Sequence, residues 1–182
     1  MSILDHQLLL NSFDDELMKG NVERLEIFNL FHCLRKATLS SALKAQSALG
    51  RIPPSFLKWL KHCDGGLLFD TVMLCSKEHD AELDLDFDTY EEYNCAEAKE
   101  DMGLPAGYAV FAVRSYGDPI CFNTETNDGK VYLWNLENGE FEEVWETFED
   151  WISEEIDTAI ELIGEEVLDP LGVKLEMLED EE

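Results

Sequence analysis

The chain has 182 residues and a mass of 20.8 kDa, enough for one domain with its own core, since surface scaling leaves roughly 9,000 Å² exposed out of roughly 30,000 Å² in the extended chain. Its 41 acidic against 13 basic residues, a net charge of −28, exclude nucleic acid and anionic membrane surfaces as partners, because both are bound through lysine and arginine. Five cysteines without framework spacing, no cleavable signal segment and no apolar run near roughly 20 residues point to reduced thiols in the cytoplasm.

Residues 1–20 carry Ile3, Leu4, Leu8, Leu9, Leu10, Phe13 and Leu17 with weak periodicity and read as a short docked helix ending at Gly20-Asn21. Val22, Leu25, Ile27, Phe28, Leu30, Phe31 and Leu34 then recur at helical spacing over 22–35. That helix is apolar on two sides and is expected to be sandwiched, with Arg35 and Lys36 suiting the dipole of its last turn. A shorter helix over 41–49 ends at Gly50. Pro54 opens a helix over 54–63 with Phe56, Leu57 and Leu60 inward, and Asp64-Gly65-Gly66 stops it: proline fits a first turn, whose N–H groups lack partners anyway, and glycine fits the left-handed terminus. A strand over 67–74 follows. Up to residue 63 the chain is almost neutral, with 8 Lys/Arg and 6 Asp/Glu.

The balance then shifts to 4 basic and 16 acidic residues over 64–136. Residues 80–101 read as a mobile acidic loop with a helical turn near 90–99. Asp84, Asp86 and Asp88 imitate the start of a calcium loop, but its sixth position is Thr89 instead of glycine and its twelfth is Cys95 instead of glutamate, so a solvated acidic loop is the reading. His32-Cys33, His62-Cys63, Cys75 and His79 carry zinc-compatible side chains. No Cys-x-x-Cys occurs, and adjacent helical residues diverge by about 100°, so no metal site follows. No cysteine has an activating neighbourhood and no phosphate-binding glycine loop is present. Carboxylates are so frequent that paired acids say nothing about catalysis. No catalytic residue, cofactor or metal is assigned, and the chain is not read as an enzyme.

Residues 109–163 organise the rest. Strand segments 109–114, 119–123, 130–135 and 141–145 are rich in aromatic and β-branched residues, and the turns between them contain Gly117-Asp118, Asp128-Gly129 and Asn138-Gly139. Such residues accept the positive φ of a tight turn, so the strands are expected to pair antiparallel in sequence order. A helix over 147–163 follows, with Thr147 as N-cap, Asp150 in the first turn, and Phe148, Ile152, Ile156, Ala159, Ile160 and Ile163 on one face. The fold class is α+β, a largely antiparallel β-meander with helices packed on one face. Residues 137–182 hold 1 basic and 19 acidic residues.

The order of these motifs carries a resemblance: a proline-started helix ending in Asp64-Gly65-Gly66, Leu104-Pro105 before the apolar strand Val110-Phe111-Ala112, the Gly117-Asp118 turn, the run Gly129-Lys130-Val131-Tyr132-Leu133-Trp134, and the closing Phe148-Glu149-Asp150-Trp151-Ile152. Together they resemble the SUKH superfamily, the Smi/Knr-type domain, over 50–163. On that reading the chain is a single domain, with 1–49 a helical extension and 164–182 an acidic C-terminal segment. The resemblance implies a non-enzymatic binding module. Bacterial members are typically immunity proteins that neutralise toxins, often nucleases, and fungal relatives regulate cell-wall signalling. The charge independently favours a basic protein partner, since complementary potentials speed encounter and fix orientation.

Two readings stand at this point: an immunity protein that sits stoichiometrically on a basic toxin domain, or an intracellular scaffold or regulatory protein without a toxin. Neither the partner's identity nor the oligomeric state is written in the sequence. The face assigned to protein binding is Trp145 among Glu142, Glu143 and Glu146, an aromatic anchor ringed by acid, together with the acidic loop bearing Asp84, Asp86, Asp88, Glu91 and Glu92. The cysteine reading has a direct check. Thiol titration of the denatured, unreduced protein is expected to count all five cysteines as free thiols, and two protected thiols would overturn it.

Overall fold

Short apolar strands joined by polar turns leave a pleated surface that must be covered, and the fold is the solution to that problem. The computed structural model describes residues 31–33, 39–60, 64–68, 71–76, 79–80, 85–86 and 88–163. The elements run β1 (Phe31–Cys33), α1 (Leu39–Leu49), α2 (Pro54–Leu60), β2 (Gly66–Leu68), β3 (Thr71–Met73), β4 (His79–Asp80), β5 (Leu85–Asp86), α3 (Tyr90–Asn94), α4 (Ala96–Asp101), β6 (Tyr108–Arg114), β7 (Pro119–Asn123), β8 (Val131–Asn135), β9 (Glu140–Trp145) and α5 (Phe148–Ile163). Seven strands form one sheet in the order β1-β2-β3-β6-β7-β8-β9, and β4-β5 is a separate two-stranded ribbon. Every pairing in both is antiparallel. The β6–β9 meander therefore forms as its turn residues predict. No helix among the described residues is long and apolar enough to cross a membrane.

The first half differs from its sequence pattern. Residues 31–33, expected inside a helix over 22–35, form β1, with Phe31 opposite Leu68 and Cys33 opposite Gly66. The pairing supplies partners to an edge of β2 that would otherwise be open, a tertiary demand that helical periodicity cannot register. The remainder of the expected helices over 1–20 and 22–35 lies outside the described residues. The single strand expected over 67–74 is two, β2 and β3, with Leu68 opposite Thr71. Helix α2 buries Phe56, Trp59 and Leu60, while Leu57 is only half-buried; residues 61–63 lie outside the described set. The acidic stretch expected as a loop contains β4, β5, α3 and α4. Its helical part breaks at Cys95, which has extended backbone (φ −67°, ψ 158°) and accepts the Ala98 N–H on its sulfur at 3.4 Å.

Asp64-Gly65-Gly66 has a packing reason as well as a turn reason. Gly65 sits at φ +90°, and a Cβ there would lie 2.4 Å from the Cβ of Cys75. The buried Asp64 carboxylate accepts the backbone N–H of Ser76 at 3.1 Å and its hydroxyl at 2.5 Å, tying the turn to the end of β3. At the edge of β6 above its contact with β3, the Asn94 side chain acts as a surrogate strand. Its amide donates to Val110 O and its carbonyl accepts Val110 N–H, both at 2.8 Å.

The core lies between one face of the sheet and helices α2 and α5. Phe111 and Phe122 stack at 4.2 Å. Phe56 stands 5.1 Å from Phe111 and 5.2 Å from both Phe122 and Phe148, and Trp151 meets Phe111 edge-on at 5.1 Å. A bulge between Val110 and Ala112 leaves Phe111 without a register partner, which frees its ring for this stack. Helix α5 begins where the capping pattern predicts: Thr147 accepts the Asp150 N–H at 3.0 Å and donates its hydroxyl to the Asp150 carboxylate at 2.7 Å. Phe148, Trp151 and Ile152 are fully buried. The side chains of Ile156, Ala159, Ile160 and Ile163 are outside the described set.

One turn beyond Trp151, Glu155 is 5% exposed. Its carboxylate takes both oxygens to Arg114 Nη1, at 2.6 and 2.7 Å, and one of them also accepts the Thr71 hydroxyl at 3.2 Å. Helix α5 is thereby bound to β3 and β6 at once. Burial raises the Glu155 carboxyl above its usual range, against the opposing pull of Arg114 and Thr71. The folded state then holds this proton more tightly than the unfolded chain, so the group's stabilising share is complete below its unfolded pKa and is lost as pH rises through the native one. Stability is expected to increase as pH falls from neutrality toward the carboxyl range, with a flatter slope in Glu155→Gln. Arg114→Met should cost about 3–5 kcal/mol in a urea titration by stranding the buried carboxylate, and Arg114→Met with Glu155→Leu should recover much of it.

Candidate functional site

Strand β9 is the last of the large sheet and has one strand neighbour among the described residues. The turn before it is built from asparagines: Asn135 accepts the N–H groups of Glu137 and Asn138 at 2.8 and 2.9 Å, and Asn138 accepts that of Glu140 at 2.9 Å. Gly139 supplies the φ of +68° that closes it. Along β9 the register slips, with Glu143 opposite Leu133 and Phe141 opposite Trp134, so Glu142 is the extra residue of a bulge. Its carboxylate accepts the Asn135 side-chain amide at 2.6 Å. Glu140, Glu142, Glu143, Val144 and Glu146 are all exposed. Lys130 pairs with Glu146 at 2.5 Å on the surface, a contact worth at most about 1 kcal/mol.

The structure leaves Glu142, Glu143 and Glu146 exposed at this end of the sheet but buries the fourth member of that group. Trp145 is 8% exposed, and its indole N–H donates to Glu154 Oε2 at 2.7 Å. It pairs with Val131 on the helix-covered face, so it is a core residue that fastens β9 to α5 and not an exposed anchor. Period two decides this: with the bulge at Glu142, the position that ends the strand falls on the inner face.

The acidic loop is placed elsewhere. Asp84 lies outside the described residues, and Asp86 is described only as a β5 backbone position opposite His79. Asp88 is exposed; its carbonyl accepts the Cys75 N–H at 3.1 Å and its carboxylate the Tyr93 hydroxyl at 3.4 Å. Glu91 is exposed in the first turn of α3. Glu92 closes a capping box with Thr89, accepting its N–H at 2.8 Å and its hydroxyl at 2.9 Å, so this carboxylate is engaged in starting α3. Helix α3 stands at the outer edge of β6, three strand spacings or roughly 14 Å from β9. The two acidic groups are separate surfaces.

On the sheet face opposite α2 and α5, the β9 end carries a feature that the sequence reading missed. Tyr108 lies 4.5 Å from Phe141 and 5.2 Å from Tyr132, Tyr132 lies 5.4 Å from Phe141, and Trp134 lies 4.8 Å from Phe141. Tyr108, Tyr132 and Phe141 are half-buried, while Trp134 is buried with its N–H on Met102 O at 3.0 Å. The available signal was the alternation of Tyr132 and Trp134 with the inward Val131 and Leu133. Asp128 accepts the Tyr132 hydroxyl at 2.9 Å and that of Thr126 at 2.8 Å. Although partial burial alone would raise the Asp128 carboxyl, these bonds, the Lys130 N–H and the Lys130 charge hold it below its usual range. Burial and the bond to that carboxylate push the Tyr132 phenol up.

The remaining polar groups are structural. The Tyr90 hydroxyl is buried and has no hydrogen-bond partner among the described residues, its phenol raised by burial and by the nearby Asp64 and Cys75. Burial likewise pushes up the Cys121 thiol, despite the nearby Lys99. Among the described residues no group of three or more His, Cys, Asp or Glu side chains is placed to hold a metal.

Fold and surface together define an α+β domain: a seven-stranded antiparallel sheet with helices packed on it and an acidic last strand. The chain belongs to the SMI1 / KNR4 family (SUKH-1), whose sequence model matches residues 36–154. No curated protein and no solved structure matches the chain at a significant level.

The burial of Trp145 yields an expectation. Trp145→Phe should cost about 0.5–1.5 kcal/mol through loss of the bond to Glu154. Trp145→Ala should cost about 3–5 kcal/mol as a core truncation. Urea denaturation reads both, and a wild-type midpoint for Trp145→Ala would mean that the ring is not part of the core.

Proposed function

We propose that this chain is a non-enzymatic protein-binding module that neutralises a basic partner, in the manner of an immunity protein, by sitting stoichiometrically on it through the outer surface of β9. The observation that carries the reading is the set of exposed carboxylates Glu140, Glu142 and Glu143 on the last strand of the sheet, with Glu146 directly after it, in a chain of net charge −28. Like charges along β9 repel a second copy of the same strand, which protects the edge from self-pairing, while a lysine- and arginine-rich surface is attracted. Membership of the SMI1 / KNR4 family supports a binding role, and the charge supports the sign of the partner. A toxin that acts on nucleic acid would present such a basic surface, and carboxylates would then occupy the place of phosphates. The reading places the protein in the cytoplasm, without nucleic acid or membrane as direct partners.

The test begins with the genes beside this one and pairs the chain with any basic, nuclease-like domain that they encode. Co-expression should rescue growth, and purified association should slow about tenfold or more between low and physiological salt, because exposed charges are screened over about 10 Å at 0.1 M. Glu142→Lys with Glu143→Lys should reduce the on-rate more than it raises the off-rate and abolish rescue. A salt-insensitive rate, or rescue by the double reversal, would remove β9 from the interface. A gene with no such neighbour and no rescue would favour an intracellular scaffold.

A further inference from the structure

The second face of the sheet, beside β9, carries Tyr108, Tyr132 and Phe141, next to the C-terminal end of α4, whose Met102 carbonyl accepts the Trp134 indole N–H. Three half-buried rings from β6, β8 and β9 lie within 5.4 Å of one another, and each keeps part of its surface accessible. Three carboxylates belong to the adjoining chain. Asp128 accepts the Tyr132 hydroxyl, Glu125 lies against Gly107, the neighbour of Tyr108, and Glu142, which accepts the Asn135 side-chain amide, follows Phe141 in the bulge. Lys99 comes from α4 near Cys121, but its ammonium donates to Ala106 O at 3.3 Å.

Aromatic faces carry negative quadrupolar charge, and with carboxylates beside them they suit a cation that is planar, weakly hydrated and able to take a bidentate acid contact. Guanidinium meets all three conditions. An ammonium is a compact, strongly hydrated point charge that stacks poorly. A second copy of this chain would bring the same negative charge, and nucleic acid would bring phosphates, so both are disfavoured on this face.

We propose that Tyr108, Tyr132 and Phe141, rimmed by Glu125, Asp128 and Glu142, form a subsite for an arginine side chain of a basic protein partner. The proposal rests on the acidic-surface reading above and adds to it the point of anchorage: charge on β9 attracts the partner, and stacking on this face holds it. The anchor that the sequence suggested at Trp145 is then supplied by rings on the opposite face of the same strands.

The experiment titrates the isotope-labelled full chain, at low salt, with hexa-arginine and separately with hexa-lysine. Hexa-arginine should shift the amide signals of Tyr108, Tyr132 and Phe141, and its side-chain protons should move upfield by ring current. It should bind about three- to tenfold more tightly than hexa-lysine, the range that cation–π stacking supplies. Tyr132→Leu and Phe141→Leu should erase that preference and leave the residual, salt-sensitive binding of both peptides, whereas Tyr132→Phe should keep it. Glu142→Lys with Glu143→Lys should weaken both peptides. Equal affinities with shifts confined to the β9 glutamates would overturn the arginine subsite and leave the acidic surface standing. Binding of neither peptide would overturn both. Shifts of the three rings with protein concentration alone would show a second copy as the occupant and would also overturn it. The ring-current shift is read on the unaltered protein, so the proposal remains decidable if a leucine variant does not fold.

Discussion

The stack of Phe111 on Phe122, enclosed by Phe56, Phe148 and Trp151, is the contact on which the rest of the molecule depends. Two of these rings stand on neighbouring strands and three on helices that flank the sheet in sequence, so one cluster fixes the positions of α2, α5 and the central strands together. Aromatic pairs in offset or edge-on contact add about 0.5–1.5 kcal/mol each beyond the area they bury, and here several converge. Helices α2 and α5 meet this one face, and on the opposite face near β9 Tyr108, Tyr132, Phe141 and Trp134 lie against one another beside the end of α4, whose Met102 carbonyl accepts the Trp134 N–H.

Charge is distributed against this framework in two different ways. The Glu155–Arg114–Thr71 group is buried and joins α5 to two strands; its worth lies in geometry more than in net energy, since desolvation offsets most of the attraction. The glutamates of β9 are exposed and screened by salt, contribute little to folding, and set the potential that an approaching protein meets. Glu92 belongs to neither group. A carboxylate that the sequence offers for binding is consumed by a helix cap, as the spacing of Thr89 and Glu92 allows.

Much of the fold could be read from residues 104–155. Turn residues at Gly117-Asp118, Asp128-Gly129 and Asn138-Gly139, and the Thr147–Asp150 cap, are local signals: each depends on φ preferences or on hydrogen bonds within a few residues, and each is found where expected. The order of the motifs also led to the family, which the match over 36–154 shows. Less of the candidate site was legible. The carboxylates of β9 were found because charge is visible in composition, but the orientation of Trp145 depended on a one-residue bulge that no local pattern announces.

The sequence by itself determined the antiparallel meander, the helix that follows it, the charge of the surface and the family, because these rest on interactions between near neighbours or on sums over the chain. The tertiary structure alone decided that Phe31–Cys33 is a strand, that residues 66–73 form two strands, that Trp145 faces inward, and that Tyr108, Tyr132 and Phe141 meet across three strands. Each of these depends on partners distant in sequence, supplied by an open strand edge, a slipped register or the neighbouring strands of the sheet. Their energies come from long-range pairing and burial, which exist only once the sheet has been assembled.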